Sequence, residues 1–391
     1  MSDSYTEVTR RSWFSRIRSS FGGIVFGILL VLFMIVALFW NEGRAVQTAR
    51  SLAEGAGIVV SVPAELIDAA NEGELVHVTG PVTTEENPAD LAFGITAEGV
   101  RLERAVEMYQ WKQNASSETK KELGGGEETV TTYTYERAWS SQPIDSASFK
   151  QPDGHRNPPM RYRSEDFQVN AAKLGAFDLD GQVLSRIGGA RDVPITPGLL
   201  PSIRGSFTGP EPIGVADGRI YLGANPSSPA IGDYRIAYAL VPLGTISLVA
   251  RQTGSTFAPY QTEAGDRLLM VESGAVPADQ MFADAISGNK VLTWVLRAVG
   301  LMLLMVGFSL MMGPIGVIAD VIPFLGNIVR MGTGALAFVL AVVVGTATIA
   351  VAWFWYRPLL SIALIVGGLA ITWLVGYLGK RRQAPADAKP A

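Results

Sequence analysis

The chain of 391 residues has no cysteine and only two histidines, His77 and His155. The first absence removes disulfides, thiolate metal sites, iron–sulfur clusters and cysteine nucleophiles together. The second excludes a histidine-rich metal site. Charge is scarce as well. Charged residues make up 17% of the chain against 48% hydrophobic, a lean ratio for a water-soluble protein. The net charge is only −4, and no basic stripe is interleaved with aromatics, so nucleic acid is rejected as a partner. Walker A, Rossmann and Gly-x-Ser-x-Gly fingerprints are missing. No catalytic residue, cofactor or metal ligand is assigned, and the chain is read as non-enzymatic.

What the chain does have is long apolar sequence. From Gly22 to Trp40 there is no charged residue. As a helix that run is roughly 28 Å long, close to a bilayer's hydrocarbon thickness. The exit, Phe39-Trp40-Asn41-Glu42, is a poor cleavage site, so the run reads as an uncleaved anchor. Three more runs follow at 291–313, 335–356 and 358–378. The expected fold class is therefore an α+β membrane protein with four transmembrane helices, one N-terminal (22–40) and three C-terminal. A large β-rich domain fills 41–290.

Sidedness follows from charge. Arg10, Arg11, Arg16 and Arg18 precede the first span, and Lys380, Arg381 and Arg382 follow the last. Four crossings bring both basic ends to one face, which the positive-inside rule makes cytoplasmic. The segment 1–21 and the basic tail 379–391 are then cytoplasmic, and 41–290 lies on the opposite face. The linker 314–334 is too apolar for an ordinary loop. It reads as an interfacial or re-entrant segment on the cytoplasmic side.

Within 41–290 the pattern turns to period two. Val100, Leu102, Val106 and Met108 alternate against charged neighbours, and Thr131, Tyr133, Tyr135, Arg137 and Trp139 repeat the alternation. The expectation is a hairpin pairing Val100–Trp111 with Val130–Trp139. Polar residues 112–128, with Gly124-Gly125-Gly126, would form its exposed, mobile tip. Glu74–Trp111 and Gly218–Arg251 share a rhythm of short strand, proline-containing loop and long strand, which raises the prospect of two related β-modules.

A few residues stand out. Asp153 and His155 lie in a Pro-Asp-Gly-His-Arg-Asn-Pro stretch that reads as a turn rather than an acid–base pair. His77 alternates inside a strand and reads as a packed or surface histidine. Trp40, Asn41, Glu42 and Arg44 mark the first membrane boundary, and Arg297, Asp320 and Arg357 mark others. Arg297 sits about seven residues into its apolar run. Snorkelling to the interface is the favoured reading, and a pair with Glu42 is the alternative. Asp320 falls near the inner headgroups. Gly23 and Gly27, Ala341 and Gly345, and Gly368 and Gly376 belong to small-residue series that permit close helix approach in lipid. They serve packing within one bundle or contacts between copies.

Several separated stretches resemble one family. They are Leu38-Phe39-Trp40-Asn41-Glu42-Gly43-Arg44-Ala45-Val46, Arg101-Leu102-Glu103-Arg104, Val106-Glu107-Met108-Tyr109-Gln110-Trp111, Gly154-His155-Arg156-Asn157-Pro158, Ala319-Asp320-Val321-Ile322-Pro323 and Trp355-Tyr356-Arg357-Pro358. In this order they are similar to the LUMA (transmembrane protein 43) family, from about Ser12 to Leu378. The resemblance implies a membrane organiser that self-associates and binds other membrane proteins, with a suggested link to lipid metabolism. Eukaryotic members sit in the endoplasmic reticulum and inner nuclear membrane. No catalytic residues carry over. An Ala- and Gly-rich chain without a eukaryotic retention signal fits a bacterial inner-membrane relative with a periplasmic β-domain. Expected partners are membrane lipids, other membrane proteins and further copies of the chain. Lipid binding is the alternative function, and a channel or transporter ranks below it.

Overall fold

The computed structural model describes residues 4–359 and isolated positions up to Trp373. Six helices are present among them: α1 Trp13–Ile58, α2 Gly181–Leu184, α3 Leu200–Ser206, α4 Ala278–Met311, α5 Gly313–Ala319 and α6 Pro323–Tyr356. Two compact units divide the chain. A β-rich unit takes residues 4–10, Ser51–Lys120 and Glu127–Ala285. A helical unit takes Arg11–Arg50, Lys121–Gly126 and residues 286–359.

The β-rich unit holds two large sheets and two two-stranded ribbons, Ala89–Asp90 with Ile95–Thr96 and Tyr260–Gln261 with Arg267–Leu268. The first has eight strands, ordered Ser4–Arg11, Glu127–Ser140, Arg101–Lys121, Tyr234–Val241, Arg219–Leu222 and Ile213–Ala216, with Arg191–Val193 and Glu165–Gln168 attached beside them. Tyr234–Val241 runs antiparallel to Arg101–Lys121 in a register from Tyr234↔Met108 to Val241↔Arg101. Period-two alternation then sends Leu102, Val106, Met108, Ile236 and Tyr238 into one buried core with Phe93, Ile203 and Leu222. The core also buries charge. Arg104 is 8% exposed and bonds Asp90 at 2.6 Å and Glu165 at 2.8 Å. The Tyr238 hydroxyl donates to Asp90 at 2.8 Å, and burial together with the Asp90 charge pushes that phenol up.

The second sheet has seven strands. Its central pair is Leu75–Thr83 against Thr245–Thr253, with Ala172–Leu174, Phe177–Leu179, Thr256–Ala258, Met270–Ser273 and Val60–Pro63 around it. Val76, Val78, Leu174, Phe177, Leu248 and Ala250 fill its core. The two expected modules are not borne out. Leu75–Thr83 pairs with Thr245–Thr253 in one sheet, and Arg101–Lys121 pairs with Tyr234–Val241 in the other. The two stretches interleave across shared sheets instead of folding apart.

The long hairpin exists, and it is longer than its apolar pattern suggests. Its strands run on to Lys121 and resume at Glu127. Hydroxyl pairs continue the ladder through the polar half: Ser117 with Thr131 and Thr119 with Thr129, each at 2.9 Å. Polar sequence here means a solvated ribbon rather than a mobile loop. At the tip Glu122, Leu123 and Gly124 are exposed, as expected, and Gly125 is not. Gly125 is buried, and at φ +81° a Cβ there would meet the Trp13 ring. Residues 1–21, expected as a plain basic segment, contribute the edge strand Ser4–Arg11. Glu7 pairs with Lys150 at 2.9 Å, and Arg10 pairs with Glu128 at 2.7 Å.

In the helical unit, α1, α4 and α6 are the three helices among the described residues that are long and apolar enough to cross a membrane. Most of the fourth expected span, 358–378, lies outside the described residues, and so do Gly368 and Gly376. The linker read at 314–334 is shorter in the fold. It is α5 and a turn, because α6 already starts at Pro323, a residue suited to a helix's first turn. Small residues seat the helices on one another. A Cβ on Gly27 would lie 2.6 Å from the Gly307 carbonyl oxygen, and one on Gly300 would lie 2.5 Å from Leu38. Ala341 is buried, and a Cβ on Gly345 would run into Leu301. Gly23 is looser, 3.6 Å from the Leu310 carbonyl. These contacts lie within one chain.

Candidate functional site

The stretch Asn41-Glu42-Gly43-Arg44 stands in the middle of α1, and each of the four residues meets another helix. Consecutive helical positions turn by about 100°, so four in a row face around most of the helix. The Asn41 amide donates to the Thr293 carbonyl at 3.4 Å. Gly43 leaves room for a ring: a Cβ there would lie 2.6 Å from the Tyr356 ring. Arg44 donates to Asn289 at 3.0 Å, Thr293 at 3.1 Å and Asn41 at 3.3 Å. Asn289 in turn donates to the Ala45 carbonyl at 3.0 Å.

Glu42 is the centre of this cluster. Its side chain is 3% exposed and takes a two-pronged bond from Arg297, at 2.6 and 2.7 Å. Trp353 Nε1 adds a third donor at 2.9 Å. Parallel N–H···O bonds of this kind are the strong form of a carboxylate–guanidinium pair. The Arg297 guanidinium also lies 4.7 Å from the Trp294 ring centroid and 5.8 Å from that of Trp353. Snorkelling, the favoured expectation for Arg297, is thus corrected. A buried carboxylate within reach outcompetes the interface, since an unpaired Glu42 would be far costlier than an ordered arginine. Trp40, by contrast, is 61% exposed on the outer side of α1.

A second charge centre forms around Asp320, whose side chain is wholly buried. Arg16 bonds it at 2.6 Å, Lys121 at 2.9 Å, and Arg330 closes the set. Burial pushes the Asp320 carboxyl up. Hydrogen bonds from Arg330, Lys121 and Arg16 outweigh that and bring it down to about 2. The hairpin tip reinforces the cluster. Arg16 donates to the Gly125 carbonyl at 2.5 Å, Gly124 N–H donates to the Val321 carbonyl at 3.2 Å, and Trp13 Nε1 donates to the Val317 carbonyl at 3.0 Å.

Both histidines are built into packing. His155 is buried, stacks on Tyr135 at 4.0 Å and meets the Trp111 ring at 4.7 Å. Asp153 is 93% exposed and pairs with Arg156. His77 bonds Ser61 at 3.1 Å and the Val276 carbonyl at 3.0 Å.

Sequence reasoning found Glu42, Arg44, Arg297 and Asp320 and raised the Glu42–Arg297 pair as an alternative, but missed the other partners. Thr293, Asn289 and Trp353 carry no signal by themselves. Arg16 did carry one, because a charge so close to a span needs either headgroups or a carboxylate.

The family model described as Transmembrane protein 43 matches residues 108–358. The chain is 32% identical to the Homo sapiens protein of that name over 389 residues, covering 95% of this chain and 92% of the human one. The Mus musculus protein is also 32% identical, covering 97% and 95%. The Drosophila melanogaster homolog is 27% identical, covering 90% and 93%. No solved structure matches.

Proposed function

The chain belongs to the transmembrane protein 43 family, and from that premise we propose that it is a non-enzymatic membrane organiser. Its helices hold it in the bilayer, and its β-rich unit binds membrane partners and further copies of the chain. One observation carries this reading: the buried polar groups of the junction bond to one another. Glu42, Arg297, Trp353, Asn41, Arg44, Thr293 and Asn289 join α1, α4 and α6. That arrangement fixes a scaffold. Reconstitution of the full chain in lipid nanodiscs followed by mass measurement tests the assembly. More than one chain per particle is expected, and particles with one chain at every protein-to-lipid ratio would contradict self-association.

Sidedness belongs to the same proposal. The basic tail Lys380-Arg381-Arg382 supports a cytoplasmic C-terminus with the β-rich unit, whose sheet includes Ser4–Arg11, on the far face of a bacterial inner membrane. The cysteine-free chain makes the check direct: single cysteines at Ala388 in the basic tail and at Ser228, labelled from one side at a time. Opposite accessibility is expected. Labelling of both from the same side would overturn it.

A further inference from the structure

A groove of 640 Å³ opens between α1, α4 and α6, and we infer that it is a binding site for an anionic phospholipid. On α4 its lining runs through Lys290, Trp294, Arg297 and Leu301. On α6 it runs through Thr346, Ile349, Trp353 and Arg357. Steps of three and four residues keep each series on one helix face. The two helices bring the middle of α4 and the end of α6 together, since Arg297 and Trp353 share Glu42. Lys290 and Arg357 therefore mark one end of the groove, and Leu301 and Thr346 mark the other. From Lys290 to Leu301 is about 16 Å of helix, enough for much of an acyl chain. The groove is cationic at one end and apolar along its length.

The charge balance calls for an anion. Glu42 is the one carboxylate lining the groove, and its oxygens already take three donors from Arg297 and Trp353. Among the described residues no carboxylate pairs with Lys290 or Arg357. Arg44 adds to the excess from beside the groove. It bonds only neutral groups, and its buried Nε has no hydrogen-bond partner. Toward the other end the polar atoms are turned away. The Thr346 hydroxyl donates back to the Val342 carbonyl at 2.6 Å, and Leu301, Ile349 and Ala350 line the groove beside it. A phosphate at Lys290 and Arg357, Trp294 and Trp353 at headgroup depth, and one acyl chain along the apolar floor satisfy all of these features. The site does not depend on self-association.

Native mass spectrometry of the full chain in non-ionic detergent tests it. Phosphatidylglycerol is titrated against phosphatidylcholine, with inorganic phosphate as a separate arm. Preferential retention of phosphatidylglycerol, not displaced by phosphate, is expected. Each removed cation should weaken it about fivefold, so Lys290→Gln with Arg357→Gln loses roughly 25-fold. Lys120→Gln, far along the chain in the hairpin, loses nothing. If the double variant does not fold, Lys290→Gln alone, at an exposed position, must still show its fivefold loss. Equal retention of the two lipids, displacement by phosphate, or unchanged affinity in the variants would overturn the site.

Discussion

Among its described residues the helical unit carries two buried carboxylates, and they are partnered differently. Glu42 meets one cation and one indole. Asp320 meets three cations. The first is a clamp between three helices that leaves neighbouring cations uncompensated. The second draws together the start of α1, the hairpin tip and the start of α6, and it consumes its cations. One centre can therefore receive an anion from outside, and the other is a lock.

That difference ranks the expected losses. Asp320→Ala should be the most damaging change, because it removes the buried carboxylate that Arg16, Lys121 and Arg330 share. Removing one partner of a buried pair costs about 3–5 kcal/mol. Thermal unfolding in detergent checks it, and a loss under about 1 kcal/mol would mean the cluster relaxes into water. The pH dependence sharpens the point. The folded carboxyl lies at about 2 against an ordinary 3.8, so the charge interaction stabilises the fold above pH 4 and is lost as pH falls toward 2. The shift corresponds to a contribution on the order of 2 kcal/mol. The stability gap between the parent and Asp320→Asn should be flat above pH 5 and close below pH 4. A gap that widens on acidification would reverse the sign.

Gly345→Leu comes next. Its side chain would enter the space of Leu301, and overpacking of this kind costs about 1–3 kcal/mol. The helical unit should loosen while the β-rich unit keeps its unfolding transition. An unchanged size-exclusion profile and melting curve would show that α6 packs elsewhere. His155→Phe should have the smallest effect. It keeps a ring against Tyr135 and loses the bond of Nδ1 to the Gln151 carbonyl, about 1 kcal/mol. Loss of partner binding in a well-folded His155→Phe would instead point to chemistry at that ring.

Legibility in the sequence follows the same contrast. Glu42 and Arg297 stand beside or inside apolar runs, so each lacks water and each signals a need for the other. The alternation in Val100–Met108 likewise marks a strand with one buried face, and that in Thr131–Trp139 marks its hairpin partner. Asp320 also stood out, but its partner Lys121 is 199 residues away, in a polar stretch whose strand character rests on threonine pairs rather than apolar alternation. The strand Ser4–Arg11 escaped for a related reason. Its exposed burial pattern gives no periodic apolar signal, and its arginines read as a membrane flank. Edge strands are held by their neighbour's ladder, and that neighbour is more than a hundred residues away.

A double-mutant cycle on Glu42→Gln and Arg297→Met, read by thermal unfolding of the full chain in detergent, tests the junction most directly. A clamp of two parallel charge-assisted bonds between buried groups should show a coupling of about 2 kcal/mol or more, with the double variant more stable than the sum of the two losses implies. Additive losses, with coupling below about 0.5 kcal/mol, would mean that Glu42 and Arg297 act separately and that the junction is not what joins α1 to α4.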